Sequence, residues 1–344
     1  MGDYIPFLKT KTNEFSALKA LDCSIANNMA VFLDINAKIE KKYTEDEYIE
    51  RIQKITKKID KNVKSFRYFY IDDYDIQELS INGENSYKFV LSSLHDFNFI
   101  PVIGIDRSDS RNEIVFNNYK DISSKSIAMR ITYNDLNIGF YDFKELYNNI
   151  PNYFIEKHLI IDLRLIPQNI NTNDYCNDIE KFLLKSKDLF SKIIITGSII
   201  PDIFSDLVKT DSDVVLNRTE VDIFKILSKK YDIIFGDYTI VSPYYSDKQI
   251  NPSLFRTLTA PRVLYAFDDK FYIQRGHSIK NDNQQYIKFC EILKLKPFFR
   301  GELFSFGDNF IANINNHKST ITPSSILKPT INAHITYMYN LINP

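Results

Sequence analysis

The chain has 344 residues, 44% of them apolar, so it is long enough to bury a large core in one domain or two. Its 43 lysines and arginines nearly balance its 44 aspartates and glutamates, which excludes a strong overall electrostatic field and argues on charge grounds against nucleic-acid binding. Three widely spaced cysteines, no secretory signal and no apolar run long enough to cross a membrane predict a cytoplasmic protein with reduced thiols.

Eight short apolar segments follow one another along the first two-thirds of the chain. They are mostly continuous apolar runs rather than alternating ones, which is typical of parallel strands covered on both faces. The predicted strands are Tyr4–Leu8, Ala30–Ile35, Phe66–Ile71, Phe99–Ile105, Ser126–Ile131, His158–Leu163, Lys192–Thr196 and Asp232–Phe235.

Segments with helical spacing lie between these strands. The clearest is Thr44–Ile59, where Thr44 and Glu47 predict a capping box. Its apolar positions repeat every three or four residues at Tyr48, Ile52, Ile55 and Ile59. Further helices are predicted at Glu14–Leu21, Ser86–Leu94, Asp142–Asn149, Asp174–Leu189 and Glu220–Ser228, with another starting near Pro201.

Eight strand–helix units predict an α/β fold, a closed (β/α)8 TIM-like barrel over residues 1–260. The alternative is an open, doubly wound sheet. That fold normally carries a glycine-rich turn after its first strand, and the turn here, Leu8–Thr12, contains no glycine. The barrel is therefore favoured.

Residues 261–344 follow a different pattern and are predicted to form a C-terminal extension packed on the barrel. Arg262–Phe267 and Phe271–Arg275 flank an acidic turn and predict a β-hairpin. Helices are predicted at Asn283–Leu293 and Ile331–Leu341.

Charged and polar side chains stand where nearly every predicted strand ends. In a barrel these positions share one rim, the end at which such folds build their active sites. The candidate catalytic residues are Asp34, Asp72, Asp106, Asp162 and Asp237. The candidate ligand-binding residues are Lys9, Arg107, Arg130, Arg164, Ser198, Tyr238 and Arg275.

Two interpretations of this rim remain open. The charges either pair with one another and close the top of the barrel, or they line a polar pocket. In a pocket, the aspartates could hold a divalent cation and the basic side chains could bind a phosphate-bearing, nucleotide-like ligand. No Ser-His-Asp order and no HExxH motif is present, so neither a serine-triad nor a zinc-protease mechanism is predicted.

An ordered set of short motifs resembles the bacteriophage "beta protein" family along nearly the whole chain. The set comprises Tyr4–Lys9 with Lys11, Glu14-Phe15 and Ala17-Leu18, then Phe235–Tyr238, Tyr265 with Asp268-Asp269, Arg275-Gly276 and Phe304–Asp308. The chain departs from the family pattern at His277, where an arginine is usual, and at Phe306, where a tryptophan is usual. Of a usual Asn-His-His near the C-terminus, only His334 remains.

The resemblance implies a biological setting rather than a reaction, because such proteins occur in phages and prophage-like islands, some beside a toxin-like partner. The first hypothesis is a component of a phage-exclusion or abortive-infection module. In this hypothesis it binds a phosphate-bearing ligand at the barrel mouth, and metal-assisted hydrolysis of that ligand stays open. The alternative is a non-catalytic sensor or antitoxin-like protein that contacts a partner from the same module, with Tyr265–Phe310 as the candidate surface.

Overall fold

The structure is a computed structural model, and it describes residues 3–36, 43–76, 79–138, 140–244, 260–280, 282, 284–317 and 320–343. Eight parallel strands close into a barrel. They are β1 (Tyr4–Lys9), β2 (Ala30–Asp34), β3 (Tyr68–Asp72), β6 (Phe99–Ile103), β7 (Ser126–Thr132), β8 (Glu156–Leu165), β9 (Lys192–Ser198) and β11 (Ile234–Asp237). Their order around the barrel is β1-β11-β9-β8-β7-β6-β3-β2 and back to β1. Each overlaps one predicted segment, although β11 shares only Ile234 and Phe235 with the predicted Asp232–Phe235, so the prediction of an α/β barrel is confirmed.

Helices surround the barrel and connect its strands. They are α1 (Thr12–Lys19), α2 (Cys23–Asn28), α3 (Glu45–Asn62), α4 (Tyr87–Ser93), α5 (Asp109–Asn117), α6 (Asp135–Ile138), α7 (Phe140–Asn148), α8 (Thr172–Ser186) and α9 (Thr219–Leu227). The helix predicted at Thr44–Ile59 corresponds to α3, where Thr44 and Glu47 form the expected capping box. Its four predicted apolar positions are all buried.

Side chains on successive strand residues alternate between the barrel interior and the layer under the helices. Ile5, Phe7 and Phe32 belong to the apolar cluster inside the barrel, whereas Tyr4 and Leu8 belong to the larger cluster between strands and helices. The strands are thus buried on both faces, which explains why their sequences read as continuous apolar runs.

A three-stranded antiparallel sheet lies outside the barrel, with β12 (Arg262–Phe267) and β13 (Lys270–Arg275) forming the predicted hairpin. Its third strand is β10 (Ser212–Asn217), which pairs with β13. The expectation of a helix starting near Pro201 is wrong, because Phe204–Asp206 forms a single 3-10 turn and β10 follows it. Strands from both sides of residue 260 share this sheet, and the domain boundary there stays a prediction. A further antiparallel pair, β4 (Ser80–Ile81) with β5 (Glu84–Asn85), follows β3.

Three more helices follow the hairpin: α10 (Gln285–Lys294), α11 (Phe306–Ala312) and α12 (Leu327–Ile342). The sequence predicted the first and third but not α11. The last helix, α12, packs against α1, β1 and the hairpin strand β12. It therefore covers the outside of the barrel wall at β1. Among the described residues, no helix combines the length and apolar character that a membrane span requires.

Candidate functional site

Parallel pairing places the C-terminal ends of the strands side by side, and the last inward-facing residues meet there. Lys9 lies opposite Asp34 in the β1–β2 register, and Asp34 lies opposite Asp72 in the β2–β3 register. Arg130 of β7 and Asp162 of β8 also turn inward at this end. We call this end, with the loops that follow the strands, the barrel mouth.

Arg130 lies at the centre of the mouth and is 1% exposed. Its Nη1 donates to Asp34 Oδ1 at 2.8 Å and to Asp72 Oδ2 at 2.7 Å. Its Nε and Nη2 donate to Asp162 Oδ2 at 3.0 and 2.6 Å, and Nη2 also donates to the Tyr238 hydroxyl at 2.8 Å. One guanidinium therefore joins residues from four places around the barrel wall.

Asp72 is shared between arginines. Arg107 Nη2 donates to Asp72 Oδ2 at 2.6 Å, and Arg111 Nη2 lies 3.6 Å from Asp72 Oδ1. Burial alone would raise the pKa of the Asp72 carboxyl, but Arg107, Arg130 and Arg111 together lower it to about 2. Asp72 is therefore ionised at neutral pH, and its carboxylate is the shared anionic partner of the surrounding arginines.

Asp34 and Asp106 have a different electrostatic environment from Asp72. Burial is the largest influence on both, and it raises the pKa of each carboxyl above its ordinary value despite Arg130 beside Asp34 and Arg107 beside Asp106. Asp34 is enclosed, whereas the Asp106 side chain keeps 24% of its surface exposed. Asp106 is thus a carboxyl of the mouth that keeps contact with solvent.

Arg164 differs from the other arginines in its backbone and in its partners. It has a φ of +52°, a conformation that costs energy for a residue with a Cβ, and it lies in an irregularity of the β8–β9 pairing. Its guanidinium lies 3.9 Å from Asp162 and near the rings of Tyr74 and Tyr244, with centroids at 4.6 and 5.0 Å. Among the described residues, its guanidinium donates no hydrogen bond, although Arg164 is only 8% exposed.

Lys9 and Ser198 complete the inward-facing set. Lys9 Nζ donates to the Ser242 carbonyl at 3.0 Å, and burial lowers the pKa of its amine to about 8. Ser198 Oγ accepts a hydrogen bond from the Ile200 backbone at 3.0 Å. The helix expected near Pro201, just after Ser198, is replaced by a 3-10 turn at Phe204–Asp206. Within the described residues 199–211 there is therefore no α-helix N-terminus to attract an anion.

Asp237 and Arg275 do not join this network, and their placement at the mouth is corrected. Asp237 faces outward from β11, where it accepts hydrogen bonds from Tyr4 Oη at 2.7 Å, Arg218 Nη2 at 2.5 Å and His334 Nε2 at 2.8 Å. The strand-end argument failed because adjacent strand residues point to opposite faces, and Tyr238 is the one that points inward. Arg275 ends β13 and donates to the Val208 carbonyl.

Sequence reasoning missed Tyr74 at the mouth and the outward-facing contact of Asp73 beside it. Tyr74 follows the Asp72-Asp73 pair, and the guanidinium carbons of Arg107, Arg130 and Arg164 lie 4.5, 5.1 and 4.6 Å from its ring centroid. Asp73 turns outward and accepts from Arg111 Nε at 2.8 Å. A tyrosine directly after a strand-end carboxylate was the available signal, but nothing in the sequence connects it to three distant arginines.

A metal centre gains no support from the described residues. Within them, no group of three or more histidine, cysteine, aspartate or glutamate side chains is arranged to hold a metal ion. The reason is visible in the contacts, since the oxygens of Asp34, Asp72 and Asp162 that face the centre bind Arg130. The arrangement provides cations and aromatic rings for an anion rather than carboxylates for a cation.

A family model described as "Beta protein" matches residues 4–340. The chain belongs to the beta protein family. A comparison with curated proteins finds no match. Family membership thus agrees with the resemblance read from the sequence, and no reaction or ligand comes with it.

The residues that carried the family resemblance now have structural explanations. Asp237 binds His334 of α12, as described above, and Asp308 accepts a hydrogen bond from the hydroxyl of Tyr265. At the departures, His277 pairs with Asp211 at 2.6 Å, and Phe306 is partly exposed beneath Lys328. Asp237 and Tyr265 thus hold C-terminal elements in place, whereas Lys9 and Tyr238 of the same set face the mouth.

Replacing Arg130 by Met is expected to lower the free energy of unfolding by about 4 kcal/mol at pH 7, because three buried carboxylates lose their shared partner. In the wild type the depressed pKa of Asp72 stabilises the fold above pH 3.8, and that contribution disappears as the pH falls towards 2. In the variant, unpaired carboxyls take up protons more readily. Urea unfolding at pH 5 and pH 7 should therefore show a smaller difference between the two proteins at pH 5.

The matched control for this prediction is Arg164→Met, which removes an arginine whose nearest carboxylate is 3.9 Å away. We expect it to change the free energy of unfolding by about 1 kcal/mol or less. Equal losses in the two variants would show that Arg130 is not the centre of the network.

Replacing Asp237 by Asn is expected to cost about 3 kcal/mol at pH 7, because Arg218 and His334 lose a buried anionic partner. These partners hold the pKa of Asp237 well below its usual range despite burial, so the stabilisation is present above pH 3.8 and declines as the pH falls. Thermal unfolding of the variant should therefore approach that of the wild type in acid. Asp232→Asn, an exposed position just before the same strand, should have little effect at either pH.

Proposed function

We propose that this protein binds a phosphate-bearing, nucleotide-like small molecule at the barrel mouth and acts in a phage-exclusion module. The observation that carries the ligand-binding part is the state of Arg164. It is a nearly buried guanidinium whose closest described carboxylate is 3.9 Å away, and that carboxylate is already shared by Arg130 and Tyr238. A buried cation without a close partner is stabilised when an anion binds it.

The surroundings of Arg164 fit a ligand that combines a phosphate with a ring. Arginine presents several N–H donors in a plane and binds phosphate oxygens in pairs. The guanidinium carbon of Arg164 lies 4.6 Å from the ring centroid of Tyr74 and 5.0 Å from that of Tyr244. The two rings therefore provide aromatic surface beside the charge. The strained backbone at Arg164 is a further sign, since such strain is concentrated at ligand-binding positions.

Hydrolysis is not included in the proposal. Metal-assisted hydrolysis needs carboxylates that are free to bind a cation, and Asp34, Asp72 and Asp162 are each hydrogen-bonded to arginine. Asp106, partly exposed and with a raised pKa, is the one mouth carboxyl among the described residues with the properties of a proton acceptor for attacking water. Ligand recognition without turnover needs only the groups already in place.

A protein-partner function has its own supporting observation, in the C-terminal part of the chain. Leu295 is 86% exposed and Leu303 is 93% exposed, within the aromatic segment that the sequence singled out. Large apolar side chains at such exposure are typical of protein interfaces when they lie together. This sensor or antitoxin-like function predicts that Leu303→Glu abolishes co-purification of a partner from the same module while nucleotide binding is unchanged.

Arg164→Met is the variant that tests the proposed function. We expect the wild type to bind at least one of AMP, ADP and ATP in isothermal titration calorimetry at low ionic strength. The variant should bind it at least about ten-fold more weakly, because a hydrogen bond between charged groups is worth about 1.5–3 kcal/mol. Arg67→Met, at the opposite end of the barrel, should bind like the wild type.

The biological part of the proposal is tested in cells that carry the complete module. Phage plating efficiency should rise in Arg164→Met cells and stay low in Arg67→Met cells, with both proteins folded as judged by their melting temperatures. If the wild type binds none of the three nucleotides, or if the two variants bind alike, the ligand-binding proposal fails.

A further inference from the structure

The three-stranded sheet outside the barrel has one covered edge and one open edge. At the covered edge, residues 263–266 of β12 are all buried. At the other edge, partly buried and exposed residues alternate along the whole of β10. Within the described residues, β10 pairs with β13 on one side and with no strand on the other. The outer backbone N–H and C=O groups of β10 can therefore pair with a further strand.

The strand β10 lacks most of the features that protect an open edge. Natural edge strands are commonly blocked by lysine, by proline or by a bulge. The sequence of β10, Ser-Asp-Val-Val-Leu-Asn, contains no lysine and no proline, and its six residue pairs with β13 follow one another without a register shift. Its one charged residue, Asp213, lies near the start and leaves the centre of the strand uncharged.

The exposed face of β10 is apolar at its centre. Val215 is 48% exposed and lies opposite Tyr272 of β13, which belongs to the apolar cluster between the sheet and α10. Directly opposite residues of antiparallel strands share a face, so Val215 points to the α10 side of the sheet. Ile292 of α10 is 44% exposed and borders the same side, because it lines a surface groove together with Asp213 and Tyr272. An apolar strip thus accompanies the open edge.

The strand β10 is complementary to itself in one antiparallel register. In a pairing around a two-fold axis at Val215, this residue meets Val215 of a second copy. Val214 then meets Leu216, and Asp213 meets Asn217, whose amide can donate to the carboxylate. Apolar residues therefore face apolar residues, and no two like charges lie opposite each other. An axis at Val214 would instead place Asp213 against Val215, so the sequence favours the first register.

We propose that the open edge of β10 is a self-association surface, on which a second copy of this chain adds its own β10 in antiparallel order. The two sheets become one sheet of six strands, and Val215 of both copies lies between the two α10 helices. Two-fold contacts in which the same surface serves both subunits are the commonest way in which identical chains associate. The surface lies outside the barrel mouth, so the proposal holds or fails independently of ligand binding there.

The first test measures the oligomeric state of the full-length protein. Analytical ultracentrifugation at micromolar concentrations should give the wild type twice the chain mass of 40.3 kDa. Val215→Lys places two ammonium groups opposite each other at the axis and should raise the dissociation constant of the dimer at least about ten-fold. Leu184→Lys introduces the same charge at an exposed apolar position of α8 and should dimerise like the wild type. Both variants should keep the wild-type melting temperature, as expected for surface changes.

The second test reports the register of the two strands. In a Cys23→Ser background, which removes an exposed native thiol, the protein carries either Val215→Cys or Asn217→Cys. Opposite Cα atoms of an antiparallel pair lie about 4.5–5.5 Å apart, within the range that disulfides span. Val215→Cys should therefore form a covalent dimer on mild oxidation. Asn217→Cys should stay monomeric on denaturing gels, because each introduced thiol faces Asp213 of the other copy.

A wild-type protein that sediments as a monomer would overturn the proposal. A dimer that Val215→Lys and Leu184→Lys weaken to the same extent would overturn it as well, because the contact would then lie elsewhere. Equal crosslinking of the two cysteine variants would count against it in the same way, since it would indicate random collision instead of a fixed register.

Discussion

The structure of the barrel mouth depends on one buried guanidinium and the carboxylates around it. Arg130 donates to Asp34, Asp72 and Asp162, which come from three different strands, and to Tyr238 just after a fourth. Burying that many charges is costly unless each is paired and hydrogen-bonded, and the parallel strands meet this condition by holding the side chains in register. The end of the barrel interior is thus closed by polar contacts instead of by apolar packing.

The hydrogen bonds of Arg130 determine which carboxylates of the mouth are already paired. Carboxylates that serve Arg130 cannot also hold a cation, so the five candidate catalytic aspartates divide into three structural ones, one at the outer wall and one, Asp106, with access to solvent. Of the two interpretations of the charged rim, mutual pairing describes the contacts at the centre. Arg164 at the edge has a longer ion-pair distance and aromatic neighbours, and the ligand-binding proposal rests on this residue.

The sequence predicted the barrel well because its strands are mostly continuous apolar runs, and nearly every one ends at a charged or polar residue where the chain leaves the wall. It predicted the direction of side chains less well. A shift of one residue along a strand moves a side chain to the opposite face, so Asp237 was placed in the mouth although Tyr238 occupies that position. Contacts such as Tyr74 with three arginines, or β10 with β13, join residues far apart in the chain and leave no local pattern.

The end of β11 links the two buried networks through adjacent residues. Asp237 faces outward and binds His334 of α12, while Tyr238 faces inward and binds Arg130 and Asp162. Both belong to the Phe235–Tyr238 motif by which the chain resembles its family. Asp237 and Tyr238 are adjacent in the chain, so one short segment of the wall makes both the contact with α12 and the contact with Arg130. The Phe235–Tyr238 motif therefore attaches the C-terminal helix to the barrel wall through Asp237 and contributes Tyr238 to the mouth at the next residue.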